Sequence, residues 1–197
     1  MLSNISSLKG FIFDLDGTLM HSTLDFNAIR NAISCPANID ILSFVAGLQA
    51  EQKRLANQII IEHEINDAQG SAWIEGAHEF IQLLLQLKYP IAIVTRNCRQ
   101  AASIKMGQSA GQIKLLLTRE DAPPKPDPTS LLQIAELWEI DVTKLAYIGD
   151  YLYDVQAANN AGMLSCLYAP GELPVYASQA NVVFEHFNQL SDAVKSR

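Results

Sequence analysis

The sequence predicts an α/β fold, a doubly wound parallel sheet of about five strands carrying an inserted all-α unit. Three observations lead there. Short apolar runs such as Gly10-Phe11-Ile12-Phe13 and Leu145-Ala146-Tyr147-Ile148 stop near a carboxylate, as buried parallel strands do at a functional edge. Amphipathic helical stretches alternate with these runs, which implies parallel pairing through crossover helices. Between the first two strands the pattern is helical alone.

Taken in order, Gly10–Phe13 is the first strand, and Gly17 turns the backbone after it. Asp25 to Ile33 carries Phe26, Ile29 and Ile33 at helical spacing, with Asp25 able to cap the start. A second helix begins at Asp40 and buries Ile41, Phe44, Val45 and Leu48; a third, Ala50 to Asp67, reads Leu55, Ile59, Ile60, Ile61 and Ile65. These three helices form a compact unit over residues 21–70, leaving 1–20 and 71–197 for the main domain. Ile74 to Leu87 presents Ile74, Ala77, Phe80, Ile81, Leu84 and Leu87 as one stripe. Pro90 blocks its continuation, and Ile91–Thr95 is the second strand.

A helix at Arg99–Met106 leads through Gly107 and Gly111 to a third strand, Ile113–Thr118. Past the proline-rich loop around Lys125 come a helix at Thr129–Glu139, a strand at Leu145–Asp150 and a short helix to Asn160. Ser165–Ala169 is the fifth strand, Asn181–Phe184 a short edge strand, and the tail to Arg197 is helical. The alternation is Rossmann-like.

Composition sets bounds. With 197 residues, 49% hydrophobic and 18% charged, the chain is long and apolar enough for one good core plus a small appended unit. A net charge of −7 makes nucleic acid and anionic membrane surfaces poor partners. The most apolar stretch, Phe80 to Val94, is broken by Gln82, Gln86, Lys88 and Pro90, so it is a helix and a strand rather than a membrane span. The N-terminus is polar and lacks a signal-like apolar run. Cys35, Cys98 and Cys166 are odd in number and show no metal-binding spacing, which points to three reduced thiols and a cytoplasmic setting.

Four polar stations stand at or just beyond strand ends: Asp14 with Asp16, Thr95, Lys125, and Asp150 with Asp154. In an open α/β sheet the carboxyl ends of the strands share one rim, where ligands bind. Carboxylates there are costly to bury unless a metal or a reaction uses them. An Asx-Gly turn accounts for one aspartate of Asp14-Leu15-Asp16-Gly17-Thr18 but poorly for both.

The Asp14–Thr18 stretch resembles the first motif of the haloacid dehalogenase-like hydrolase superfamily. Val94-Thr95-Arg96-Asn97, Lys125-Pro126-Asp127-Pro128 and Gly149-Asp150-x-x-x-Asp154 resemble its other three motifs, in the family's order. The resemblance implies phosphoryl transfer. Asp14 would then be the nucleophile that forms an aspartyl-phosphate, and Asp16 the acid for the leaving group and later the base toward water. Crowded carboxylates and a phosphate dianion need counter-charge, which Mg²⁺ answers through Asp14, the Asp16 carbonyl and Asp150, with Asp154 orienting them. Lys125 would pair with Asp14 and the phosphoryl group. Thr95, Arg96 and Asn97 would hold phosphate oxygens.

The insert after the first motif resembles the helical cap of the phosphoglycolate phosphatase-like branch. It offers His21 and Arg30 as substrate contacts, whereas Lys53 and Arg54 beside Glu51 read as a solvated face. The expected partner is a small-molecule phosphate monoester. A phosphomutase would share every named residue. A dehalogenase would lack Asp16, and a binding protein on the same fold would not need both aspartates.

Overall fold

The computed structural model describes residues 2–107 and 112–196. A 3-10 helix at Leu2–Ser7 precedes β1 (Gly10–Phe13), and three helices follow: α1 (Phe26–Ala32), α2 (Ile41–Ala46) and α3 (Ala50–Gln69). Next come α4 (Ala77–Gln86), β2 (Ile91–Val94), α5 (Arg99–Met106), β3 (Leu115–Leu117) and α6 (Thr129–Trp138). The chain continues through β4 (Leu145–Gly149), α7 (Leu152–Ala161), β5 (Leu164–Tyr168), β6 (Val182–Phe184) and α8 (Phe187–Lys195). Gly111, read as part of the passage into β3, and the terminal Arg197 lie outside the described residues.

The strands form one parallel sheet in the order β3-β2-β1-β4-β5-β6, the edge segment near Asn181 supplying the sixth. Strand order reverses direction between β1 and β4, so the crevice for a ligand opens at their carboxyl ends. Alternation along the strands builds two cores. Phe11, Phe13, Ile91, Ile93, Ala146 and Ile148 face α4, α5, α8 and the N-terminal turn, while Ile12, Ala92, Val94, Leu145 and Tyr147 face α6 and α7.

Boundaries move where the backbone has another demand. α4 begins after Gly76, whose φ of 77° no helix can use, and residues before it pair with the outgoing chain. Met20 bridges Trp73, His21 N donates to Ala72 O at 2.8 Å, and Ile74 N donates to Leu19 O at 2.9 Å. The two passages between the sheet and the inserted helices therefore run side by side. The Asp25 carboxylate caps α1, accepting from Asn27 N and Ala28 N at 2.9 Å each.

The insert has its own apolar cluster of Ile29, Cys35, Ile41, Val45, Ala56 and Ile60. On α3 the buried line is Ala56, Ile60, Glu64 and Ala68, whereas Leu55 is 46% exposed. A count of large apolar residues misplaces that face because its spine includes alanines and a paired glutamate. Likewise Phe26 is 60% exposed and Leu87 48%, each at the margin of its helix. Cys35, Cys98 and Cys166 are all free and buried. Among the described residues no helix is long and apolar enough to cross a membrane.

Phe80 is fully buried, edge-on to Phe11 at 5.9 Å and Phe13 at 6.0 Å, and packed on Phe187. Phe80→Ala should therefore cost about 3–5 kcal/mol in urea unfolding. A loss below about 1 kcal/mol, the scale of a surface change, would mean this face repacks.

Candidate active site

Asp14 follows the last residue of β1, and its N–H donates to Ile148 O at 2.8 Å, which pins it beside β4. Asp150 follows the end of β4, and Asp154 lies in the first turn of α7. Lys125 enters from the loop before α6, 4% exposed, and its Nζ lies 2.6 Å from both Asp14 Oδ1 and Asp154 Oδ1. The ammonium also donates to the Tyr147 hydroxyl at 2.7 Å, and that hydroxyl donates to Val94 O at 2.9 Å. A buried ammonium is tolerable only with such partners. Burial alone would lower its pKa, but Asp14 and Asp154 more than offset this, holding Lys125 above the ordinary lysine value.

One cation does not neutralise three carboxylates. Burial drives the Asp14 carboxyl well above the usual range against the pull of Lys125, and Asp154, Asp150 and Asp16 push the same way. Burial and Asp154 push Asp150 up to about 7, although the Thr18 hydroxyl donates to its Oδ1 at 2.8 Å. Asp14, Asp150 and Asp154 each present an oxygen within 4.8 Å of the others. This all-oxygen anionic set fits a hard divalent cation, and the raised carboxyls mark the charge it would supply.

Two glycines let the cluster close. Gly17 has a φ of 79°, and a Cβ there would lie 2.4 Å from Asp150 Oδ2. A Cβ on Gly149 would lie 2.3 Å from the Asp154 Cβ.

Asp16 faces the other side of the rim. Its Oδ2 accepts from Asn97 Nδ2 at 3.0 Å and lies 3.5 Å from Thr95 Oγ1, while Oδ1 pairs with the Lys105 ammonium. Thr95 Oγ1 accepts from Asn97 N at 3.1 Å. The Arg96 guanidinium reaches Asp40 of the insert at 2.5 Å and lies 4.5 Å from the centre of the Tyr153 ring. Burial pushes Asp40 up, but the Ser43 N–H and Arg96 outweigh it and hold its carboxyl below the ordinary value.

A cavity of about 490 Å³ lies between this rim and the inserted helices. Asp14, Asp16, Thr95, Arg96, Asn97, Lys125, Asp150 and Asp154 all line it, so the four sequence stations do meet at one space. Its far wall is largely apolar, from Leu24, Phe26, Ile29, Ile41 and Ile60. Arg30 also lines the cavity, with its NH1 donating to Pro36 O at 2.9 Å and Ile39 O at 2.5 Å. His21 does not line it; its carbonyl accepts from Ser71 Oγ at 2.7 Å where the two passages cross. Arg54 pairs with Glu51 at 2.8 Å on the exposed face of α3.

Sequence reasoning passed over Tyr147 and Lys105. Each left a signal: Tyr147 is the one polar-tipped residue inside the run Leu145–Ile148, and Lys105 shares the buried stripe of α5 with Ala101, Ala102 and Met106. Glu64 was also missed. It is buried on α3, pairs with Arg119 at 2.6 Å and accepts from Cys98 N at 3.1 Å.

Comparison with known proteins agrees with the geometry. A haloacid dehalogenase-like hydrolase domain-containing protein of Arabidopsis thaliana is 26% identical over 96% of this chain and 84% of its own. A phosphoglycolate phosphatase of Chromobacterium violaceum is 24% identical over 98% of this chain and 99% of its own. The crystal structure of a hydrolase from Pseudomonas syringae superposes with a TM-score of 0.80 at 20% identity, covering 95% of this chain and 98% of that one; this is a likeness of fold. The family model of haloacid dehalogenase-like hydrolases matches residues 11–168, which span β1 to β5 and every polar station on the rim. The chain belongs to the haloacid dehalogenase-like hydrolase family.

Proposed function

We propose that the protein is a Mg²⁺-dependent phosphatase that hydrolyses a small-molecule phosphate monoester through an aspartyl-phosphate on Asp14. The observation that carries this reading is the Lys125 ammonium, 2.6 Å from Asp14 in a cluster still short of positive charge. Asp14 and Asp150 carboxylates and the Asp16 carbonyl would hold Mg²⁺, with Asp154 fixing their orientation. When bound, the ion supplies the positive charge that a phosphate dianion beside three carboxylates requires.

The remaining work falls to the chain's own groups. An Asp14 oxygen attacks phosphorus and the bond to the leaving oxygen breaks, while Asp16 gives that oxygen its proton. Asp16 then takes a proton from water, whose oxygen attacks phosphorus and releases inorganic phosphate and the free Asp14 carboxylate. Lys125 holds Asp14 and the transferring group. Thr95 and the backbone at Arg96 and Asn97 hold phosphate oxygens. Residues 21–70 act as a cap that excludes water and reads the leaving group. Arg30, on the cavity wall, is its candidate substrate contact; His21, at the crossing, fits a hinge better. Transfer of the phosphoryl group to water, rather than its return to a sugar, distinguishes this reading from a phosphomutase.

Asp14→Asn should abolish phosphate release altogether. Asp16→Asn should lose most turnover of alkyl phosphates but less of p-nitrophenyl phosphate, whose leaving group departs as a stabilised phenolate. Equal losses on both, measured as kcat/KM, would remove the acid role from Asp16.

Metal dependence has a signature in stability as well as turnover. Burial and Asp154 push the Asp150 carboxyl up to about 7 in the fold, against about 3.9 in an unfolded chain. The folded state therefore binds that proton more tightly, so metal-free stability is full below the unfolded value and falls as pH rises toward the folded one. The Asp150 carboxylate would hold either that proton or Mg²⁺. The Tm gained on adding Mg²⁺ should thus be larger at about pH 8 than at about pH 5, and EDTA should abolish both the gain and turnover. A Tm gain independent of pH would remove Asp150 from the ligand set.

A further inference from the structure

Lys105 is the other buried cation at the site. Its side chain is 0% exposed, on the seam where Ile61, Ile65 and Ala68 of α3 meet Cys98, which caps α5, and Ala101 within it. A lysine in such a place is costly to keep charged unless it is paired. It is paired twice, with Asp16 Oδ1 on the rim and with Asp67 Oδ2 at 2.5 Å, on the last turn of α3. Asp67 is itself anchored. It accepts from Ser22 Oγ at 2.8 Å, Thr23 N at 2.6 Å and Thr23 Oγ1 at 3.0 Å, in the segment where the chain first enters the insert.

One ammonium is thus shared between a carboxylate of the sheet's rim and one of the inserted helices. With Oδ1 on Lys105 and Oδ2 on Asn97, both Asp16 oxygens have donors on one side, which fixes the plane and reach of the carboxyl group. Burial alone would depress the Lys105 pKa, but Asp16 and Asp67 outweigh it and raise it, so the ammonium stays charged.

We propose that Lys105 is a positioning residue that sets the carboxyl of Asp16 toward the leaving-group oxygen and ties that setting, through Asp67, to the seating of the inserted helices. The inference deepens the phosphatase reading and rests on it. Lys105 touches no reacting atom in this scheme; its effect passes through Asp16. It should therefore show only where Asp16 matters, in steps that need a proton delivered to a poor leaving group.

The test compares an alkyl phosphate with p-nitrophenyl phosphate in the full-length protein with Mg²⁺. Lys105→Met should lower kcat for the alkyl ester by about tenfold or more beyond its effect on the nitrophenyl ester, with both KM values little changed. Lys105→Arg, which restores the charge, should recover part of that ratio. In an Asp16→Asn background Lys105→Met should leave the ratio unmoved, since the group it positions is gone. Equal losses on both esters, or a ratio that still shifts without the Asp16 acid, would overturn the proposal and leave Lys105 a packing element. Should Lys105→Met fail to fold by circular dichroism, Asp67→Asn decides. It keeps the shape and the Thr23 contacts, and a smaller shift of the ratio in the same direction supports the tie, while an unchanged ratio overturns it. A wild-type protein that hydrolyses neither ester removes the phosphatase reading and this role with it, an outcome distinct from loss of the ratio alone.

Discussion

The Lys125 ammonium is the point on which the site depends. It is a charge buried at the centre of a sheet edge, held by Asp14, Asp154 and the Tyr147 hydroxyl from three separate elements. β4 and α7 are consecutive in the chain, but β1 lies far from both in sequence. They meet because the strand order reverses between β1 and β4, which leaves an open crevice at the carboxyl end of both. The two apolar cores fix the sheet from either face, and the rim inherits that rigidity. Polar groups that would be loose on a surface loop are thereby held in one arrangement.

Much of the fold was legible because parallel strands buried on both faces are written as uninterrupted apolar runs, and the helices between them as stripes. The apolar run ending at Asp14 and the helix expected at about Arg99 to Met106 coincide with β1 and α5. Precision faded where backbone pairing outside regular elements overrides periodicity: Ile74 belongs to the crossing with Leu19 and not to α4. It faded also where a helix buries small or charged residues, as α3 does with Ala56, Glu64 and Ala68. At the site, residues at strand ends announce themselves, since a carboxylate after an apolar run has little structural excuse. Tyr147 and Lys105 were hidden for the opposite reason. Each is a polar tip on an apolar body inside a buried stripe, and only the tertiary neighbours tell which end matters.

The site divides into two electrostatic halves. On one side Lys125 meets more negative charge than it can balance, leaving room for a dication. On the other, Lys105 is shared between Asp16 and Asp67. Among the described residues, the inserted helices' ion pairs to the rest of the chain run from Asp67, Asp40 and Glu64 to Lys105, Arg96 and Arg119.

The tight passage from β4 into α7 carries a consequence for how this chain can vary. Gly149 has no room for a side chain against Asp154, and Asp154 Oδ2 accepts from Tyr151 N at 2.9 Å, closing the junction on itself. The spacing from Asp150 to Asp154 is then a fixed gauge, cut to the pitch of a single helical turn. One residue added or removed there would swing Asp154 by about 100° around the axis of α7, away from Lys125. Length can drift in the loops at the opposite edge of the sheet; between these two aspartates it has nowhere to go.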